Sequence, residues 1–172
     1  RYAGPDAVKG GWDGKDTVFP HRIRGNPPEV DYFDDLRRTP FTDEILLDVN
    51  AEAEGHDFFD LGAFEMSHDH RLLAWSADTR GDEHYTLKVR DVAHHQELGD
   101  ELHDTTWGGV AWSRDGTHVF YVVADAQERP FRVMRHRLGT PQADDVEVYV
   151  DHDERFFVGI GSTRSREWIV IH

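Results

Sequence analysis

Cysteine is absent from this sequence, which removes disulfides and thiolate metal sites from consideration and fits a reducing compartment. A cytoplasmic location is the expectation that follows. No apolar run approaches the ~18 to 20 residues needed to cross a bilayer, and no charged-then-apolar leader stands at the front. The chain opens on Arg1 rather than Met, so a segment of something longer is expected. Lysine is scarce, with only Lys9, Lys15 and Lys88. Positive charge is short altogether, 19 Lys and Arg against 34 Asp and Glu, for a net charge of -15. Such a surface repels phosphate backbones and anionic lipid, which argues against nucleic acid and membranes as partners and favours cationic ones. The plainer reading of the acidity, that it keeps the domain soluble, stands beside that one.

What is present is a folded protein's composition: 172 residues, 38% apolar and 12% aromatic. It is also repetitive. Aligning Ser67 with Ser113 brings Asp69 onto Asp115, Leu73 onto Val119 and Trp75 onto Tyr121, at an offset of 46. A third copy is read from Ser162 at an offset of 49, with Trp168 to Ile171 in the place of Val119 to Val122. The string "DEILLDVN" (43 to 50) resembles "VEVYVDHD" (146 to 153), each an apolar strand ending in acids.

Inside a repeat, Tyr85, Leu87 and Val89 alternate with Thr86, Lys88 and Arg90, the period of a half-buried strand. The runs "RLLAWSA" and "HVFYVVA" read as strands buried on both faces. "DTRGD" and "SRDG" supply turn chemistry between them. Each unit is expected to hold four short antiparallel strands, for example about 61 to 66, 71 to 77, 84 to 91 and 96 to 99. No long 3.6-residue period competes, which argues against helical repeats. The expected fold class is all-β: a partial β-propeller of about three to four four-stranded blades. Residues 43 to 172 would hold the end of one blade, two full blades and the start of a further one; residues 1 to 42 are left unplaced, as a divergent blade or a linker.

Sites of chemistry are few. G-x-S-x-G is absent; the nearest string, "GIGST" (159 to 163), has the wrong centre and precedes a strand, so it reads as an inner strand whose small residues allow close approach. His68 with His70 and His94 with His95 fall in turns without metal-ligand spacing. Asp78, Asp82 and Glu83 lack the ligand spacing of a calcium loop, and Asp78 with Gly81 reads as a turn stabiliser. Trp75, Trp107, Trp112, Tyr121 and Trp168 are read as packing between sheets rather than a ligand surface. No cofactor and no catalytic residue is assigned.

Three strings, "LLDVNAEAEGH" (46 to 56), "SADTRGDEHYTL" (76 to 87) and "ERPFRVMRHRLGT" (128 to 140), resemble the N-terminal propeller of the prolyl oligopeptidase family, in particular its oligopeptidase B branch. The resemblance covers about residues 43 to 172. It implies a seven-bladed ring set over a C-terminal α/β-hydrolase domain that carries the Ser, Asp and His of a serine peptidase. It implies too that the ring admits short peptides, cut after Arg or Lys, and excludes folded proteins. No triad motif lies in this sequence, so the segment would be a gate without a catalyst. A non-catalytic binding module and the propeller of another peptidase branch are the rival readings, the second disfavoured by "SADTRGDEHYTL". In either reading one rim should carry Asp78, Arg80, Asp82 and Glu83 from one blade and Asp125, Glu128 and Arg129 from the next. These residues either contact the catalytic domain or merely tie their own loops.

Overall fold

The computed structural model describes residues 21–23 and 43–172. The chain divides into two units, one ending at Glu52 and one running from Ala53 to His172. In the first, β1 (His21–Ile23) pairs antiparallel with β2 (Asp43–Ile45). The short helix α1 (Val49–Glu52) follows, its first turn capped by Asp48 Oδ1, which accepts the N–H groups of Asn50 and Ala51 at 3.1 and 3.2 Å. The rest of the 1 to 42 stretch, unplaced by sequence, lies outside the described residues.

The second unit is all β apart from one 3-10 turn at Gln142–Asp144. Seven strands form one antiparallel sheet in chain order: β3 (Asp60–Met66), β4 (Leu72–Asp78), β5 (Tyr85–Asp91), β6 (Gln96–Trp112), β7 (His118–Ala124), β8 (Pro130–Arg137) and β9 (Val146–Val150). A separate hairpin joins β10 (Ile160–Ser162) to β11 (Ile169–Ile171). The expected first three strands match β3, β4 and β5 closely. The fourth does not stop near residue 99 but runs on to Trp112. Its first half pairs with β5, Leu102 opposite Leu87, and its second half pairs with β7, Trp112 opposite Val119. Left-handed residues at Gly99 (φ 90), Asp104 (φ 57) and Gly109 (φ 101) turn the strand along the way, so one continuous segment closes one four-stranded meander and opens the next.

The alternating sequence of β5 appears as alternating burial, with Tyr85, Leu87 and Val89 inside. β7 is buried on both faces, and each face has a different neighbour. Val119 and Tyr121 join Ala74, Leu87, Val89, Leu102, Val110 and Trp112 in a core between the two meanders. Val122, with Ala111 and Val133, packs instead against Val158 and Ile160 of the next segment. Each fully buried Val, Leu or aromatic side chain contributes roughly 1.5 to 3 kcal/mol, so apolar burial between meanders outweighs any single ion pair on the surface. Of the five aromatics read as packing, Trp75, Trp112 and Tyr121 are each 2% exposed. Trp107 and Trp168 are 54% and 70% exposed and correct that reading. Trp107 lies in the irregular stretch of β6 between Thr105 and Val110, and Trp168 just before β11, where regular alternation no longer dictates the inward side.

The close approach read from the "GIG" string is present at Gly159, where a Cβ would lie 2.6 Å from the His172 ring, and it recurs in β6. A Cβ on Gly109 would lie 2.3 Å from the Ile160 carbonyl oxygen, and its φ of +101 is in the region that favours glycine. A Cβ on Gly161 would meet nothing within 4 Å.

The repeat is visible bond for bond in the turns. Ser67 Oγ donates to Asp69 Oδ1 at 2.7 Å and accepts the N–H of Leu72 at 2.9 Å; Ser113 Oγ does the same with Asp115 and the N–H of His118, at 2.6 and 2.9 Å. In the third copy Thr163, not Ser162, plays the part: its Oγ1 accepts the N–H of Trp168, and its own N–H bonds the Trp168 carbonyl. Ser162 is engaged in the ladder opposite Ile169. The third register is therefore one residue later than the apolar alignment placed it, because the turn hydroxyl, and not the strand that follows it, fixes the frame.

Candidate functional site

In an antiparallel meander successive turns lie at alternate ends, so the loops 79 to 84, 125 to 129 and 151 to 159 share one rim of the second unit with the bend of β6 at 103 to 106. Each loop that joins the second and third strand of a meander begins with an aspartate. Asp78 Oδ1 accepts the N–H groups of Arg80 and Gly81 at 2.7 and 2.9 Å, and Oδ2 accepts that of Glu83 at 2.9 Å. Burial raises its carboxyl pKa, but the donated N–H groups win and hold it below the usual carboxylate value. Asp125 repeats the device with the N–H groups of Gln127 and Arg129 at 3.0 and 3.1 Å, and is held low in the same way.

The sequence-chosen residues divide by exposure. Asp78 and Arg129 are buried, whereas Arg80, Asp82, Glu83 and Glu128 point to solvent. Arg80 Nε and Asp82 Oδ2 form an ion pair at 3.0 Å. Arg129 spends its fork on its own meander: Nε donates to Asp125 Oδ2 at 2.8 Å, Nη1 to the carbonyls of Asp153 and Phe156 at 3.1 and 2.9 Å, and Nη2 to that of Asp151 at 3.3 Å. It thereby shapes the loop that presents Phe156 and Phe157, which are 56% and 60% exposed. Phe157 stacks tilted against Trp107, ring centroids 6.3 Å apart.

Two residues that sequence reading missed complete the rim. His84 Nε2 lies 3.0 Å from Glu128 Oε2 and its Nδ1 lies 3.3 Å from Asp104 Oδ1, which joins the two charged loops. Nothing in the string "GDEHY" marks His84 as a bridge, because its partners come from 20 or more residues downstream. The rim thus combines acids on turns with a solvent-facing aromatic cluster, the composition of a surface that meets another surface.

A groove of about 430 Å³ opens where β3, the second half of β6 and β10 lie side by side, lined by Gly62, Ala63, Trp107, Gly109, Ile160 and Arg166 among others. Glu65 is half-buried in it; burial raises its carboxyl pKa against the pull of Arg166 and His68.

Antiparallel four-stranded meanders stacked face to face, their first strands side by side along a groove, define this unit as a segment of a β-propeller. Residues 30–172 match the N-terminal β-propeller domain of prolyl oligopeptidase, and the chain belongs to the prolyl oligopeptidase family. Among curated proteins it is 38% identical over 133 residues to dipeptidyl aminopeptidase BI of Pseudoxanthomonas mexicana, covering 75% of this chain and 18% of that one. It is 30% identical over 132 residues to Protease 2 of Moraxella lacunata, covering 76% of this chain and 19% of that one. Among solved structures it is similar to oligopeptidase B from Leishmania major, with a TM-score of 0.72 and 28% identity over 89% of this chain and 21% of that one. Oligopeptidase B from Trypanosoma brucei, bound to antipain in its closed form, gives a TM-score of 0.69 and 31% identity over 91% of this chain and 21% of that one. The chain therefore spans about a fifth of the length of the relatives it matches. The oligopeptidase B resemblance read from the three sequence strings agrees with these neighbours.

Proposed function

We propose that this chain is part of the gating propeller of a cytoplasmic serine oligopeptidase, one that admits short basic peptides and cuts them after Arg or Lys in a separate α/β-hydrolase domain. The observation that carries this reading is the family match across residues 30–172. The relatives named Protease 2 and oligopeptidase B favour the endopeptidase branch. The net charge of -15 supports basic substrates, since a field of that sign raises the local concentration of cationic peptides and fades with added salt.

Docking of the hydrolase domain is assigned to the rim described above. Arg80, Asp82, Glu83 and Glu128 supply exchangeable ion pairs there, each worth only ~0 to 1 kcal/mol, while Trp107, Phe156 and Phe157 supply apolar area. Asp78 and Arg129 serve the same face from beneath, by fixing the loops that carry these groups. No residue of this chain is given a catalytic role. The groove along β3, β6 and β10 is the path proposed for an extended peptide.

The 38% identical relative named dipeptidyl aminopeptidase BI favours a second reading, release of dipeptides from a free N-terminus. A panel of peptides separates the two when given to the full-length parent. Internal cleavage after Arg or Lys, unaffected by N-terminal acetylation, supports the first reading. Release of dipeptides that acetylation abolishes supports the second, and no serine-dependent cleavage of either kind leaves a binding module.

A further inference from the structure

The two meanders meet along one joint, and near each rim a histidine held between two carboxylates crosses it. On one side lies His136 of β8, with no exposed side-chain surface. Its Nε2 is 3.0 Å from Asp100 Oδ1 of the first meander, and its Nδ1 is 2.7 Å from Asp145 Oδ1. Asp145 Oδ2 accepts the Tyr121 hydroxyl at 2.7 Å, and Asp100 Oδ1 accepts the Gly139 N–H at 2.6 Å, so this bridge is enclosed. On the other side lies His84, between Asp104 and Glu128, with 31% of its side chain exposed. The two bridges share one chemistry and differ in their access to water.

An imidazole facing two carboxylates can donate to both only when both ring nitrogens carry hydrogen, which is the protonated form. Loss of that proton turns one of the two bonds of His84 into a lone pair aimed at a carboxylate. Both partners are held in a conformation that side chains other than glycine rarely adopt, Asp104 at φ 57 and Glu128 at φ 60, as is the neighbouring Glu83 at φ 60. Three strained turns thus converge on one titratable ring. We propose that His84 is a pH-dependent latch on this joint: closed when its imidazolium ties Glu128 of the second meander to Asp104 and the first, open when the ring is neutral, with the enclosed His136 bridge holding the far side.

The charged groups that act on the ring are Glu128 from the β7–β8 loop, Asp104 from β6, and Asp82 from its own loop, where Arg80 pairs with Asp82. Burial of the ring opposes its charge, but Glu128, with Asp82 and Asp104, outweighs burial and raises the pKa above the ordinary 6.5. A raised folded value means the latch contributes fully below the unfolded value and is lost as pH rises through the folded one. It therefore opens as pH rises through a value above the ordinary 6.5. This inference rests on the joint alone and stands or falls independently of the peptidase reading.

Backbone amide exchange of the chain, corrected for intrinsic rates, tests it at about pH 6 and about pH 8.5. Protection of segments 103 to 107 and 125 to 129 is expected to fall roughly two- to fivefold over that interval, the range of a partly exposed ion pair, while 130 to 137 holds. In His84→Gln both segments should sit at the high-pH level at either pH. Protection independent of pH, or a pH dependence that survives His84→Gln, overturns the latch. Should that variant fail to fold, the ring resonances of His84 in the unaltered chain decide. A midpoint above ~6.5 that falls in Glu128→Gln supports the latch, and a midpoint at or below ~6.5 overturns it.

Discussion

Arg129 shows what a residue's type conveys and what it conceals. An arginine in a charged turn is as consistent with a docking contact as with a loop tie, and only the fold reveals its four bonds to Asp125 and to the carbonyls of residues 151, 153 and 156. Those carbonyls lie 22 to 27 residues away, beyond any local pattern. A planar fork can meet them together, and a lysine ammonium cannot. Arg129→Lys should therefore destabilise the chain by about 1 to 3 kcal/mol, as buried acceptors lose their donors. The environment of Trp107, and with it its emission, should change too, as Phe157 loses its place. A denaturant melt with an unmoved midpoint would show that the arginine does not hold this loop. His84 and His136 were hidden for the same reason: each is one of 12 histidines until its carboxylates are seen around it.

At the scale of the element, much was legible because β-strands declare themselves locally. The alternation from Tyr85 to Val89 and the apolar runs ahead of and after it fixed three strands almost to the residue. Where sequence reading failed, no local rule applied. The merging of one meander's last strand with the next one's first, across Asp104 and Gly109, depends on left-handed residues whose need is set by neighbouring chain. The third repeat was misplaced by one residue because strand hydrophobicity is a weaker ruler than a turn hydroxyl. The Ser113–Asp115 turn offers a direct check. Hydrogen bonds from the side chains of Ser113 and Thr117 and the Thr117 N–H lower the Asp115 pKa to about 2 from 3.8. A depressed folded value means the turn's contribution is present above the unfolded pKa and is lost as pH falls through about 2. Carboxyl carbon shifts should show Asp115 titrating well below the exposed carboxylates, and Ser113→Ala should move it upward. A normal midpoint would mean that the turn does not hold this carboxylate.

The whole molecule carries a tension between its charge and its uncovered sheet. Val146, Val148 and Tyr149 on β9 are 42% to 47% exposed, and Trp168 beside β11 and Val170 within it are 70% and 42% exposed. Strand edges that are unpaired among the described residues and carry apolar side chains invite pairing with another copy, which a net charge of -15 opposes and salt restores. Sedimentation of the isolated chain should therefore show association that grows as ionic strength rises. A monomer at every salt concentration would mean these edges are inert. Repetition is what made this scale legible at all, since two copies of one turn 46 residues apart define a blade-sized unit before any strand is drawn. Exposed aromatics such as Phe156 and Phe157 were not legible, because nothing local tells a loop aromatic whether a surface will cover it.

The central claim, a gate that works with a catalyst it does not contain, meets its most direct test in fluorophosphonate labelling combined with peptide turnover. The isolated 172-residue chain should neither take up the serine-directed probe nor cleave an Arg-Arg fluorogenic peptide, because nucleophile, base and oxyanion hole are proposed to lie in a separate domain. The full-length parent should do both, and should leave a folded protein carrying the same dipeptide intact. Labelling and turnover by the isolated chain, or equal cleavage of the folded substrate by the parent, would contradict the account.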